Sequence, residues 1–252
     1  MRTMGGRFGA AAELLKRGMR DSAPGALSAA LLIFAYPPFG FGFLAWAALI
    51  PMFPLLESAG PKRVFMRFWI SGILFHAATV SWMSYVTWPG MVLAVIVLGA
   101  QYAVPFAAAA FIRGDGTGRR ILSAPFLVAG FEWARTHDAL AFPWMIFGNS
   151  QTSNLHIIQF ADITSVFGVS WWVVAVNVAL YRLARKRSTA RAAFAAVLFL
   201  LPLGYSAMVL HSKPEPSRPL RVAVIQGNVT QDEKWGGDVE WNVNLYCSMS
   251  LK

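Results

Sequence analysis

The chain has 252 residues, 56% of them hydrophobic, with a mean hydropathy of +0.50 and a formal net charge of +10. Soluble domains usually hold about 45–50% apolar residues, so this composition points to a membrane protein. The basic residues fall in short clusters between apolar runs, not along one face, which argues against a nucleic-acid partner, and the single cysteine, Cys247, excludes an intrachain disulfide framework or a cysteine-rich metal site.

Residues 1–22 form a basic N-terminal segment, expected to be cytoplasmic. A basic start before an apolar run has the pattern of a signal peptide. Further apolar segments follow at once, however, so a retained first helix is expected. A bilayer core needs about 20 apolar residues as a helix. Seven candidate spans follow, near 23–38, 41–57, 66–87, 90–112, 121–136, 160–181 and 192–210. Pro37-Pro38 should end the first. The loops set the orientation. Clusters before the first span, between the second and third, between the fourth and fifth and between the sixth and seventh together hold 16 of the 22 Lys and Arg residues. The alternate loops, around 38–41, 87–90 and 137–159, hold none. The positive-inside rule then places the N-terminus in the cytoplasm and everything after Leu210 outside. Arg135 is the one basic residue near the outer face.

The fold class expected is a polytopic α-helical membrane bundle of about seven spans, residues 23–210, followed by the incomplete start of an outer α/β domain. Residues 211–219, with three prolines, read as a linker. Residues 220–252 open with a strand, Leu220 to Ile225, and a Gln226-Gly227-Asn228 turn. A helix start is expected at Asp238.

Ionisable residues inside spans are functional candidates. Glu132 is the best placed, and its plainest reading is an ion pair with Arg135, one helical turn on. His76 is expected to pack or to bond a backbone carbonyl. Asp162 is expected to cap the sixth span. The outer loop 137–159 contains Phe142-Pro143-Trp144, whose aromatic rings suit the membrane interface, and the polar run Asn149 to Asn154. Its plainest reading is an interfacial re-entrant or surface loop. Trp171-Trp172 read as interfacial belt residues. Cys247 has no histidine near it in sequence, and only Lys252 offers positive charge, which is a poor setting for a nucleophile. No metal-ligand spacing, phosphate loop or serine-nucleophile elbow is present.

Three stretches carry a resemblance. They are AYPPFGFGFLAWAALIP at 35–51, FEWARTHDALAFPWMIFGNSQ at 131–151, running on through Ala161-Asp162 and Gly168-Val169-Ser170, and VAVIQGNVTQDEKW at 222–235. In their order and spacing they resemble the bacterial apolipoprotein N-acyltransferase family over essentially the whole chain. The resemblance implies a membrane bundle carrying a periplasmic nitrilase-like sandwich, closed by an eighth span, in the bacterial inner membrane. It implies an acyltransferase that moves an acyl chain from a phospholipid, typically phosphatidylethanolamine, to the amine of the diacylglyceryl-cysteine of a lipoprotein. A Glu–Lys–Cys triad acts through a cysteine thioester, without a cofactor. None of that triad is assignable here, since all three positions are expected beyond Lys252, and Cys247 precedes them. The 252 residues alone are therefore expected to be inactive. Lys234-Trp235 matches the family pair near the lipid-binding rim, so both residues are candidate substrate contacts. The alternatives are a non-catalytic seven-span transporter or assembly partner, or a related membrane acyltransferase with another acceptor.

Overall fold

A computed structural model describes residues 22–113, 118–137, 141–212, 221–236 and 238–251. The chain divides into two compact units between Ser212 and Lys213. The first is built entirely of helices among its described residues.

Helix α1, Ser22–Ala35, stops just before Pro37-Pro38, as the prolines require. The expected second span, 41–57, is not one continuous helix. It runs as a 3-10 turn Gly42–Trp46, a second 3-10 turn Ile50–Met52 and the short helix α2, Phe53–Ser58. Pro51 and Pro54 donate no N–H, so a regular ladder cannot pass through them. A broken helix in an apolar surrounding leaves backbone groups that need partners. Asn177, fully buried, provides them. Its Oδ1 accepts from Leu49 N at 2.8 Å, and its Nδ2 donates to Ala45 O at 2.7 Å and to its own Val173 O at 2.9 Å.

Helix α3, Pro61–Thr79, and helix α4, Trp88–Phe111, form a close hairpin. The expected third span, 66–87, ends early at Thr79, and its last part is a 3-10 turn, Ser81–Tyr85. Thr87 then restarts the chain as the cap of α4, its Oγ1 accepting from Gly90 N at 3.4 Å. Gly72 and Gly99 let the two backbones approach. A Cβ on Gly72 would stand 3.0 Å from Gly99 Cα, so neither tolerates a side chain without a shift. Phe68 and Phe106 stack across the hairpin with ring centroids 4.1 Å apart.

Helices α5, Arg119–Ala134, α6, Ala161–Arg185, and α7, Thr189–Ser212, complete the unit. Helices α4, α6 and α7, of 24, 25 and 24 residues, are long and apolar enough to cross a membrane. At 1.5 Å per residue α4 and α7 reach about 36 Å, beyond a core of about 30 Å, whereas α6 is kinked at Ser165, whose φ of 59° is not helical, and does not run straight over its whole length. Helix α7 continues through His211-Ser212, two residues into the stretch read as linker. The core gathers Leu32, Leu49, Phe53, Phe68, Phe75 and Val173 at its centre. Trp172 belongs to it as well. It is buried, its Nε1 donates to Leu198 O at 2.6 Å, and it is not a belt residue. The indole is held by α7 on one side and Trp46 on the other.

The second unit departs from expectation. Among the described residues no strand forms. Arg221–Thr230 runs irregularly, and the elements after it are two helices, α8, Gln231–Gly236, and α9, Val239–Ser250. A strand is made by pairing with another strand, and the described part of this unit offers no second one. Asp238 does start α9, its side chain accepting from Glu240 N at 3.1 Å. Residues 1–21 and 213–220, which include most of the basic N-terminal segment and the linker, lie outside the described residues.

Candidate functional site

The polar groups buried in the first unit gather where α5 ends and the chain crosses to α6. Glu132, on the last turn of α5, and Arg135, in the 3-10 turn that follows it, are 5% and 6% exposed. Such burial requires partners. Arg135 Nη1 donates to Gln101 Oε1 at 2.8 Å, and its Nη2 reaches Trp144 O at 3.4 Å. Glu132 Oε1 accepts the backbone N–H of Phe147 at 2.8 Å. One of its partners is therefore a loop amide fifteen residues away. The other oxygen, Oε2, is buried outside hydrogen-bond geometry, and Ser170 and Arg135 are polar neighbours of the carboxyl.

That loop is a plug, not a surface strap. Ile146, Phe147, Ser150 and Gln151 are all buried. The chain turns inward at Met145, whose φ of 57° lies in the left-handed region that non-glycine residues seldom occupy. It then forms the 3-10 turn Phe147–Gln151. Tyr36 Oη donates to Ile146 O at 2.6 Å, and Gly148 N donates to Ser170 Oγ at 2.8 Å. Gln151 Nε2 donates to Gly42 O at 2.8 Å and to Ser150 Oγ at 2.9 Å. Groups from α5, α6, the Gly42–Trp46 turn and Tyr36 just after α1 thus hold one loop. Gly148 has to be glycine for packing, because a Cβ there would stand 2.5 Å from Val166 O on α6. Below the plug lies a cavity of about 20 Å³ bordered by His76, Gln101, Tyr102, Glu132, Arg135 and Phe147. It has room for about one water.

Outside the plug, Trp144 and Trp82 are 51% and 41% exposed, with ring centroids 5.3 Å apart. Phe142 packs on Trp144 at 5.6 Å. These rings mark the rim of the plug.

The other candidates are placed as follows. His76 bonds its own helix, Nδ1 standing 2.7 Å from Gly72 O, as expected, and its ring borders the same cavity. Asp162 is not a cap. Phe160 occupies the cap position of α6 without a side-chain bond, and Asp162 sits inside the first turn, accepting the Tyr205 hydroxyl at 2.9 and 3.1 Å. The reason is the backbone around Phe160, which already has helical φ and ψ and leaves no extended cap position for an aspartate. Cys247 is exposed and free on α9. Lys234 is exposed on α8. The Trp235 side chain lies outside the described part of the chain. Sequence reading found Gln151 only as part of the polar run 149–154 and did not find Gln101, Tyr102, Tyr36 or Asn177. The one signal available was that a membrane-length apolar segment carries an amide or phenol that must find a partner. Ser150 Oγ donates to Phe147 O at 2.7 Å and Ser170 Oγ accepts from Gly148 N, so these hydroxyls are engaged in the plug's own shape. What it can do is fix the shape of one end of the bundle.

A helical bundle with three membrane-length apolar helices and a buried polar anchor for an inward loop defines the first unit as a helical membrane domain. The particular family follows from comparison with known proteins. The family description "Apolipoprotein N-acyltransferase N-terminal domain" matches residues 28–179, and the chain belongs to this family of acyltransferases. The apolipoprotein N-acyltransferase of Geobacter metallireducens is 31% identical over 252 residues, covering 92% of this chain and 48% of that protein. That of Chlorobaculum tepidum is 32% identical over 205 residues, covering 77% and 38%. That of Caulobacter vibrioides is 29% identical over 230 residues, covering 84% and 42%. The chain thus spans about half the length or less of these relatives.

Proposed function

We propose that these residues form the membrane part of a phospholipid:apolipoprotein N-acyltransferase of the bacterial inner membrane. Family membership over residues 28–179 carries the reading. In it the bundle has seven spans, the N-terminus lies in the cytoplasm, and residues 220–252 open a periplasmic nitrilase-like domain. The alternation of loops rich in Lys and Arg with loops that hold none supports that orientation. The donor is phosphatidylethanolamine and the acceptor is the N-terminal amine of a diacylglyceryl-cysteine lipoprotein. A cysteine thiol, deprotonated by a glutamate, attacks the ester carbonyl. The ester C–O bond breaks, the lysophospholipid leaves with the proton, and a thioester remains. A lysine helps to stabilise the oxyanion. The lipoprotein amine then attacks the thioester, an amide forms, and the thiol is regenerated. The reading assigns none of these three catalytic groups to residues 1–252. Lys234 and Trp235 are its substrate contacts.

The test is a graft. Residues 1–212 replace the corresponding membrane part of the Geobacter metallireducens relative, and acyl transfer from phosphatidylethanolamine to a diacylglyceryl peptide is measured. A transferring chimera, with no transfer by the 252 residues alone, is the expected result. A chimera that folds and inserts but forms no thioester would overturn it and favour a transporter or assembly partner.

A further inference from the structure

A second polar site stands at the opposite end of the bundle, where α6 ends, α7 begins and α5 starts. There a cavity of about 410 Å³ is lined by Arg182, Arg185, Lys186 and Arg191, with Glu57 and Tyr181 at its wall. Four cationic side chains face one carboxylate. The cavity is also braced. Tyr181 Oη donates to Glu57 Oε2 at 2.8 Å, which ties α6 to α2. Arg185 stands 5.9 Å from the centroid of the Tyr181 ring, over its face. Arg191 Nη1 donates to Arg182 O at 2.8 Å and to Lys186 O at 3.2 Å, closing the turn between the two helices. Ile121, on the first turn of α5, adds an apolar side.

The depth of the site decides the ligand. Helices α6 and α7 are both of membrane-spanning length. The cavity sits where their apolar stretches meet the basic turn 182–191, which is head-group level for a helix that crosses the bilayer. Basic pockets between spans at that level take anionic lipid head groups. We propose that this cavity binds the head group of one anionic phospholipid, with Arg182, Arg185 and Lys186 meeting its phosphate. The site is independent of the acyl-transfer reading. It lies on the side of the basic loops, whereas the loop plug and its rim lie at the other helix ends.

The experiment uses the whole chain in nanodiscs of phosphatidylethanolamine with one fifth phosphatidylglycerol, released for native mass spectrometry. One retained phosphatidylglycerol per chain is expected. Each charge removed should weaken retention about five-fold, so R185Q loses about that much and R182Q/R185Q/K186Q about a hundred-fold. R187Q, outside the cavity, should match the parent. An unaltered thermal midpoint in pure phosphatidylethanolamine confirms that the variants fold, and R185Q alone carries the test if the triple variant does not. Equal retention by all variants would overturn the site, as would an equal loss in R187Q, which would mean a diffuse basic surface. Displacement of the lipid by millimolar inorganic phosphate would overturn the lipid assignment in favour of a free anion.

Discussion

Glu132 and Asn177 do the same job at two places. Each is a buried polar side chain on a helix that satisfies backbone groups of a neighbouring irregular segment. Removing one partner leaves the other buried and unsatisfied, which costs about 1–3 kcal/mol. Glu132→Ala should therefore lower stability by that order and expose loop 141–151 to protease, while Glu132→Gln, which keeps an acceptor for Phe147 N, should be milder. Thermal unfolding in detergent with limited proteolysis reads both. Equal effects of the two variants would show that the carboxylate charge matters and the acceptor does not. Asn177→Ala should destabilise by a similar order and loosen the Gly42–Ser58 segment, seen as faster amide exchange at Leu49. An unchanged rate there would remove Asn177 from this role. His76 was legible in sequence because its partner lies one turn away on its own helix. Glu132 was not, because Phe147 N arrives from a loop.

Helix α8 shows how much a short element owes to its cap. Thr230 and Glu233 form a reciprocal capping box. Thr230 N donates to Glu233 Oε2 at 3.1 Å, and Glu233 N donates to Thr230 Oγ1 at 3.3 Å. The hydrogen bonds from Thr230, side chain first and backbone second, hold the Glu233 carboxyl below the ordinary glutamate range. A carboxyl lowered in the folded state contributes stability above its unfolded value, and that contribution is lost as pH falls through the folded value. Protection factors at residues 233–236, corrected for intrinsic exchange, should drop across that acidic window and already be low at neutral pH in Thr230→Ala. A flat profile would exclude the box as the support of α8. The spacing Thr230-x-x-Glu233 was open to reading in the sequence, whereas the absence of a strand over 221–225 was not. An alternating apolar run specifies a strand only when a partner edge is present.

Across the molecule, the distribution of basic residues makes a topological prediction that one native residue can report. Cys247 is exposed and is the single cysteine. An impermeant maleimide added to intact spheroplasts should label it without permeabilisation. In a Cys247→Ser background, Arg187→Cys should label only after permeabilisation. The reverse pattern would invert the orientation, and labelling of both sites from one side would break the seven-span count. Two faces with different chemistry then follow: a rim of exposed aromatic rings around the loop plug, and a braced basic cavity at the other helix ends.

By itself the sequence determined what depends on composition and on near neighbours along the chain. Apolar length set α4, α6 and α7, prolines ended α1, the aspartate at 238 started α9, and three spaced stretches carried the family resemblance. The tertiary structure decided what depends on groups far apart in sequence. It gave Asn177 to the broken 41–57 segment, drew loop 145–151 inward onto Glu132, moved Trp172 into the core and gave Asp162 to Tyr205. The physical reason is common to the first three, since the Asp162–Tyr205 pair is exposed. In an apolar interior a polar group must find a partner, and which partner it finds is a matter of packing between helices, which no local pattern encodes.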